Sequence, residues 1–180
     1  AGNALVLVII HSGQTGVERG AHRAAVATSL AVAGFMPLDR RDELGPLPPD
    51  IADALTPCFE RGPRPPVRAN IALASGVLLV IPCAATPEKF AAMPAVLQGI
   101  RAARVPSLVC DSESDFEEVA RWATSLPETC GSTRIMVTGP RGTRWNHGES
   151  VARRLVMSIR AYLPAPSQSP VAQPSHREER

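Results

Sequence analysis

The sequence predicts an α/β domain: a three-layer, doubly wound, mainly parallel sheet of about five strands with helices on both faces. Three observations lead there. Strand-like runs recur at Leu5–Ile10, Gly76–Pro82, Ser107–Cys110 and Arg134–Thr138, and the first two lack the polar alternation of a sheet that faces water. Segments of helical spacing separate them. Only 4% of the residues are aromatic against 44% hydrophobic, so the core between these layers has to be aliphatic.

Taken in order, Leu5–Ile10 is the first strand, and His11 to Gly16 breaks it with Ser and two Gly. Val17, Ala21, Ala24, Ala25 and Val32 continue at helical spacing, and Gly34 supplies a stop near Ala33–Gly34. Thr15 and Glu18 have the spacing of a capping box, with Thr15 as N-cap. Phe35–Leu38 is a short second strand. Residues 39–66 form a long Pro-rich and charged connection, with room for a short helix at Asp50–Cys58. A helix at Val67–Ala74 precedes the third strand, Gly76–Pro82. Pro87–Arg104 is a helix broken or kinked near Pro94. Ser107–Cys110 is the fourth strand, and Ser114–Ser125 a helix with Ser114 as N-cap and Glu117 three residues on. Arg134–Thr138 is the last strand and Glu149–Leu163 the last helix. The domain is expected to span residues 1–163, followed by a disordered Pro- and Ser-rich tail at 164–180. With strands in the order 2-1-3-4-5, the loops at 11–18 and 82–88 flank the point where the winding reverses, where such sheets hold ligands.

Composition excludes several functions. A net charge of +2 is too mild for a nucleic-acid surface. No apolar run is long enough to span a membrane, and the first strand lacks the basic flank of a signal peptide. Cys58, Cys83, Cys110 and Cys130 lie far apart, as free thiols of a cytoplasmic protein do. His11, His22, His147 and His176 form no metal-binding spacing, so no direct protein metal site is expected, and no Ser sits in a nucleophile elbow.

Two loops carry chemistry. His11-Ser12-Gly13-Gln14-Thr15-Gly16 joins a buried strand to a helix N-terminus, where unpaired N–H groups and the helix dipole favour an anion. Its spacing matches neither a Walker loop nor GxGxxG. Alternatively it is a plain turn whose Thr15 and Glu18 merely cap the helix. Thr138-Gly139-Pro140-Arg141-Gly142-Thr143-Arg144 is a second loop of this kind, its arginines either phosphate ligands or solvated.

Ser12-Gly13-Gln14-Thr15-Gly16-Val17-Glu18-Arg19 resembles the SGGQTGVDRA signature of the putative molybdenum carrier family, Rossmann-like proteins of the LOG and SLOG nucleotide-binding set. Gly34-Phe35-Met36-Pro37-Leu38-Asp39-Arg40-Arg41, Asn70-Ile71 with Gly76–Val80, and Val137-Thr138-Gly139-Pro140-Arg141 are similar, in order, to later motifs of that family. The departures are Ser12-Gly13 where the family has two Gly before Gln, Pro66-Val67 at its Arg-Thr pair, Ser75 at its Asp, and Cys83-Ala84-Ala85-Thr86 where it has a GGT loop. The resemblance implies a small-molecule binding protein that holds molybdenum cofactor or a nucleotide through Ser12, Gly13, Gln14, Thr15, Gly16, Glu18, Arg40, Asn70, Thr86, Gly139, Pro140 and Arg141. It also implies a homo-oligomer, dimer or tetramer. The related phosphoribohydrolases carry PGGxGTxxE; here Lys89 stands at the catalytic Glu and Ala84-Ala85 at the glycines, so no catalytic residue is expected. The alternatives are such a nucleotide-processing enzyme, or a degenerate module that has lost its ligand and binds a partner.

Overall fold

The computed structural model describes residues 5–164. The tail expected from residue 164 lies, beyond Pro164, outside the described residues. Five strands, β1 (Leu7–Ile10), β2 (Ala31–Ala33), β7 (Gly76–Val80), β8 (Ser107–Cys110) and β9 (Thr133–Thr138), form the central sheet, and every pairing in it is parallel. Of four minor strands, β3 (Phe35–Met36) falls within the strand expected at Phe35–Leu38, and β4 (Arg41–Asp42), β5 (Gly45–Pro46) and β6 (Thr56–Pro57) lie in the connection that sequence reading left irregular. The helices are α1 (Val17–Ala27), α2 (Pro49–Ala52), α3 (Arg64–Leu73), α4 (Met93–Ala103), α5 (Phe116–Thr124) and α6 (Gly148–Tyr162).

Strand side chains alternate between two cores, as the two-residue pleat requires. Leu7, Ile9, Leu78, Val80, Ile135 and Val137 face α1, α5 and α6. Ile10, Val77, Leu79 and Met136 face α3 and α4. The fold is thus the expected three-layer α/β sandwich. Helices α1 and α6 pack closely because Gly20 has no side chain: a Cβ there would lie 2.1 Å from the carbonyl oxygen of Glu149. A third cluster, Met36, Leu47, Ile51 and Leu55, lies under the loop after β1, against Gly13.

The strand order is β2-β1-β9-β7-β8. Counting only the five main strands, that is 2-1-5-3-4 and not 2-1-3-4-5: the last strand inserts between the first and the third. It pairs with β1 from Leu7↔Thr133 to Ile10↔Met136, and with β7 from Gly76↔Ile135 to Leu79↔Thr138. The loop that carries Arg141 therefore leaves the middle of the sheet, not an edge.

Several local expectations change. Helix α1 ends at Ala27, with Thr28 as C-cap and Ser29 left-handed at φ 59°. This frees Ala31–Ala33 to be the second sheet strand, while Phe35–Met36 turns away and pairs with Thr56–Pro57. Thr15 does not cap α1; Gly16 is the N-cap and makes no side-chain bond. Asp115, not Ser114, caps α5, accepting from the N–H groups of Glu117 and Glu118. The Ser114 hydroxyl accepts from Asp111 N–H instead. The helix expected at Asp50–Cys58 is confined to Pro49–Ala52. Between Pro87 and Arg104 a short 3-10 turn, Pro87–Lys89, precedes α4, with Pro94 in the first turn of that helix, where it breaks no hydrogen bond. No helix among the described residues is long and apolar enough to cross a membrane.

Candidate functional site

Parallel strands β1 and β9 end on the same edge of the sheet, so the two loops singled out from sequence are neighbours in space. They touch at Gly16. Its φ is +82°, and a Cβ there would lie 2.7 Å from Gly142 N and 2.8 Å from Pro140 O. Only glycine meets both conditions at low cost. Gly142 N–H donates to the Thr15 hydroxyl at 3.0 Å, which ties the second loop to the first.

The first loop is held from beneath by two histidines. Gly13 N–H donates to His11 Nδ1 at 2.9 Å, and His11 Nε2 lies 3.0 Å from His22 Nδ1. Because Nδ1 of His11 accepts, its proton sits on Nε2 and is donated to His22. Both rings are neutral in this arrangement. Burial, aided by His22 and Arg19, holds His11 down at about 3, and burial also lowers His22, against the pull of Asp50. Arg19 grips the same loop, donating to Gly13 O at 3.1 Å and to Asp42 Oδ2 at 2.5 Å. That ion pair is buried. Asp42 Oδ1 in turn accepts from Leu44 N–H and Gly45 N–H, which shapes the β4–β5 hairpin. The next residue, Glu43, accepts the Thr15 hydroxyl proton.

Glu18 does not reach back to Thr15. Its Oε1 accepts from Ser12 N–H at 2.6 Å and from Ser12 Oγ–H at 2.7 Å. Burial pushes its carboxyl above the ordinary range, opposed by the Ser12 bonds and Arg141 and reinforced by Glu43. Backbone N–H groups of Gln14, Thr15, Gly16 and Val17 make no hydrogen bond among the described residues. Those of Gly16 and Val17 are orphan donors of the helix start, and Gln14 and Thr15 lie in the loop before it.

These parts surround a cleft of about 340 Å³. Ser12, Gln14 and Glu18 form one wall, Thr138, Gly139 and Arg141 another, and the segment Pro37–Glu43 a third. The start of α3, at Pro63, Pro66 and Val67, and of α4, at Met93 and Val96, closes it with apolar surface. A larger groove of about 740 Å³ between α3 and α4 is lined mainly by Ala, Val, Ile and Gly with Arg64, Arg68 and Gln98. Convergent polar groups distinguish a ligand site from a groove, and they are in the smaller cleft.

Of the residues named from sequence, Ser12, Gln14, Glu18, Gly139 and Arg141 line this cleft. Gly13, Thr15, Gly16 and Pro140 build its walls from behind. Arg40 is exposed, and its neighbour Arg41 lines the cleft instead. Asn70 is fully buried and clamps β3, accepting from Phe35 N–H at 2.7 Å and donating to Phe35 O at 3.0 Å. Thr86 is exposed and, with the rest of the loop at 82–88, is not among the lining residues. Insertion of β9 moves that loop one strand away, and the Thr138–Arg141 loop takes its place. Ser75 sits at the start of β7; its hydroxyl accepts from Arg134 N–H at 3.0 Å and joins β7 to β9. Sequence reading missed Asp42, Glu43 and the histidine pair. Acids in a charged connection and two histidines 11 residues apart give no periodic signal.

The family model for the circularly permutated YpsA SLOG family matches residues 9–159. The chain belongs to that family. Nothing among curated proteins matches it. This SLOG chain is also similar in fold to a crystal structure of a putative molybdenum carrier protein from Syntrophus aciditrophicus SB, with a TM-score of 0.71 at 18% identity over 87% of this chain and 95% of that one. In this SLOG member the strand contributed last lies at the centre of the sheet, and the loop after it completes the cleft.

Proposed function

We propose that this protein binds a small phosphate-bearing molecule, molybdenum cofactor or a nucleotide, in the cleft between the β1–α1 and β9–α6 loops. One observation carries the reading: two Gly-containing loops from adjacent parallel strands meet through Thr15 and Gly142, and bring Gln14, whose backbone N–H is unpaired, and Arg141 to the walls of one cleft. Such donors and a guanidinium fork are what a phosphate requires. Gln14 and Ser12 orient the rest of the ligand. The carboxylate of Asp39 on the third wall suits a ring or amine bearing N–H donors, so the ligand would be anionic at one end and donor-rich at the other. Membership of the SLOG family and the likeness to a molybdenum carrier support this reading. A single domain over residues 1–163, a cytoplasmic location and a homo-oligomer, dimer or tetramer, belong to the same proposal.

Calorimetric titration with molybdenum cofactor, AMP, ADP-ribose and NAD tests it. The expected result is saturable binding of at least one, weakened in Arg141→Ala. No heat and no melting shift with any of them at millimolar concentration overturns the reading. Release of a free base from AMP would replace it with the phosphoribohydrolase alternative.

A further inference from the structure

Glu43 projects from the β4–β5 hairpin into the place that the foregoing reading gives to a phosphate. Its Oε1 accepts the Thr15 hydroxyl proton, and its Oε2 lies 4.0 Å from Arg141 Nε. That Oε2 is buried and has no hydrogen-bond partner. Thr15 is the residue that joins the two loops, through Gly142 N–H, and Arg141 is the cation of the second loop. A carboxylate with one oxygen on a hydroxyl and the other toward a guanidinium presents the two contacts that a phosphate oxygen pair would make.

Resting on that reading, we propose that Glu43 is a built-in competitor: its carboxylate occupies the anion subsite formed by Thr15 and Arg141, and a bound phosphate displaces it. The hairpin does not have to detach for this. Asp42 anchors it independently through Arg19, with Asp42 Oδ2 at 2.5 Å, and through the turn bonds to Leu44 and Gly45. Only the Glu43 side chain turns away. The consequence is attenuated affinity: each anionic ligand competes with a tethered anion of high effective concentration. A site built this way releases its cargo readily, which suits delivery better than storage.

The test is titration of the wild type, Glu43→Gln, Glu43→Ala and Glu43→Gln/Arg141→Ala with inorganic phosphate and with AMP, read by calorimetry and melting temperature. Glu43→Gln keeps the shape of the side chain and removes its charge; Glu43→Ala repeats the experiment with the subsite emptied. Both single variants are expected to bind phosphate and AMP about tenfold more tightly than wild type. The double variant is expected to lose that gain. Equal or weaker AMP binding by both single variants, with binding by the wild type intact, overturns the competitor role and leaves the ligand reading standing. Weaker binding specifically would make Glu43 a contact to the ligand's donor groups. Absence of any response to either probe in wild type and both single variants overturns both.

Discussion

Two loops leave neighbouring parts of the same sheet edge and differ in almost every respect. The loop after β1 is tied at each residue that matters: Ser12 to Glu18, Gly13 to His11 and Arg19, Thr15 to Glu43 and Gly142. The loop after β7 has few such ties. Cys83, Ala84 and Thr86 are exposed, and Ala84 holds a left-handed conformation, φ 59°, with a side chain that disfavours it. The family's glycine-rich loop would fall there. Because β9 lies between β1 and β7, the wall beside the first loop comes from Thr138–Arg141. Strand order, and not the composition of the β7 loop, decides which residues stand beside the first loop.

The strongest tie of the first loop is the Arg19–Asp42 ion pair. Asp42→Ala leaves Arg19 buried without its partner, and the expected loss is about 4 kcal/mol in urea unfolding, with release of the hairpin. Gly16→Ala combines a positive φ with backbone contacts under 3.0 Å at Gly142 and Pro140, for about 3 kcal/mol and separation of the two loops. Loss of either variant's stability without loss of ligand binding would show that the ties hold the fold but not the site.

Acid acts on the histidine pair. The unfolded chain protonates His11 near its ordinary 6.5, while the folded chain resists down to about 3. The unfolded state therefore takes up protons first, so the stability due to this pair is present above pH 6.5 and lost as pH falls, by about 2 kcal/mol at pH 5 for His11 alone. Glu18 works in the opposite direction. Its raised folded value favours the protonated native state, giving stability present below 4.5 and lost as pH rises through the folded value. Melting curves from pH 7.5 to pH 5, which is about that range, should fall more steeply in Glu18→Gln than in wild type. At neutral pH the same variant is expected to melt higher than wild type, since a neutral amide replaces a buried carboxylate while still accepting from Ser12. On the other loop Ala84→Gly should stabilise by about 1 kcal/mol, with no change in ligand binding. A change in binding there would return the β7 loop to the site.

Much of this was legible in the sequence because it is local. The strand–loop–helix at residues 5–18 and the Gly-Pro-Arg loop are contiguous, and their residue types state their geometry. Strand order was not legible. Gly76–Val80 and Thr133–Thr138 are both strands with a buried apolar centre, and nothing within either says which lies beside β1. The end of α1 was misplaced because Ala31 and Val32 fit a helix as well as a strand, and the left-handed Ser29 that decides it is an ordinary polar residue. The cap at Thr15 failed to form because two long-range partners, Glu43 and Gly142, take its hydroxyl. Such contacts have no signature in spacing.

The most direct test of the central claim is mass spectrometry of the small molecules released from freshly purified wild-type protein and from Arg141→Ala. The expected result is a phosphate-bearing heterocycle released from the wild type and depleted in the variant. Identical releases from both, with no phosphorylated compound above background, would contradict it.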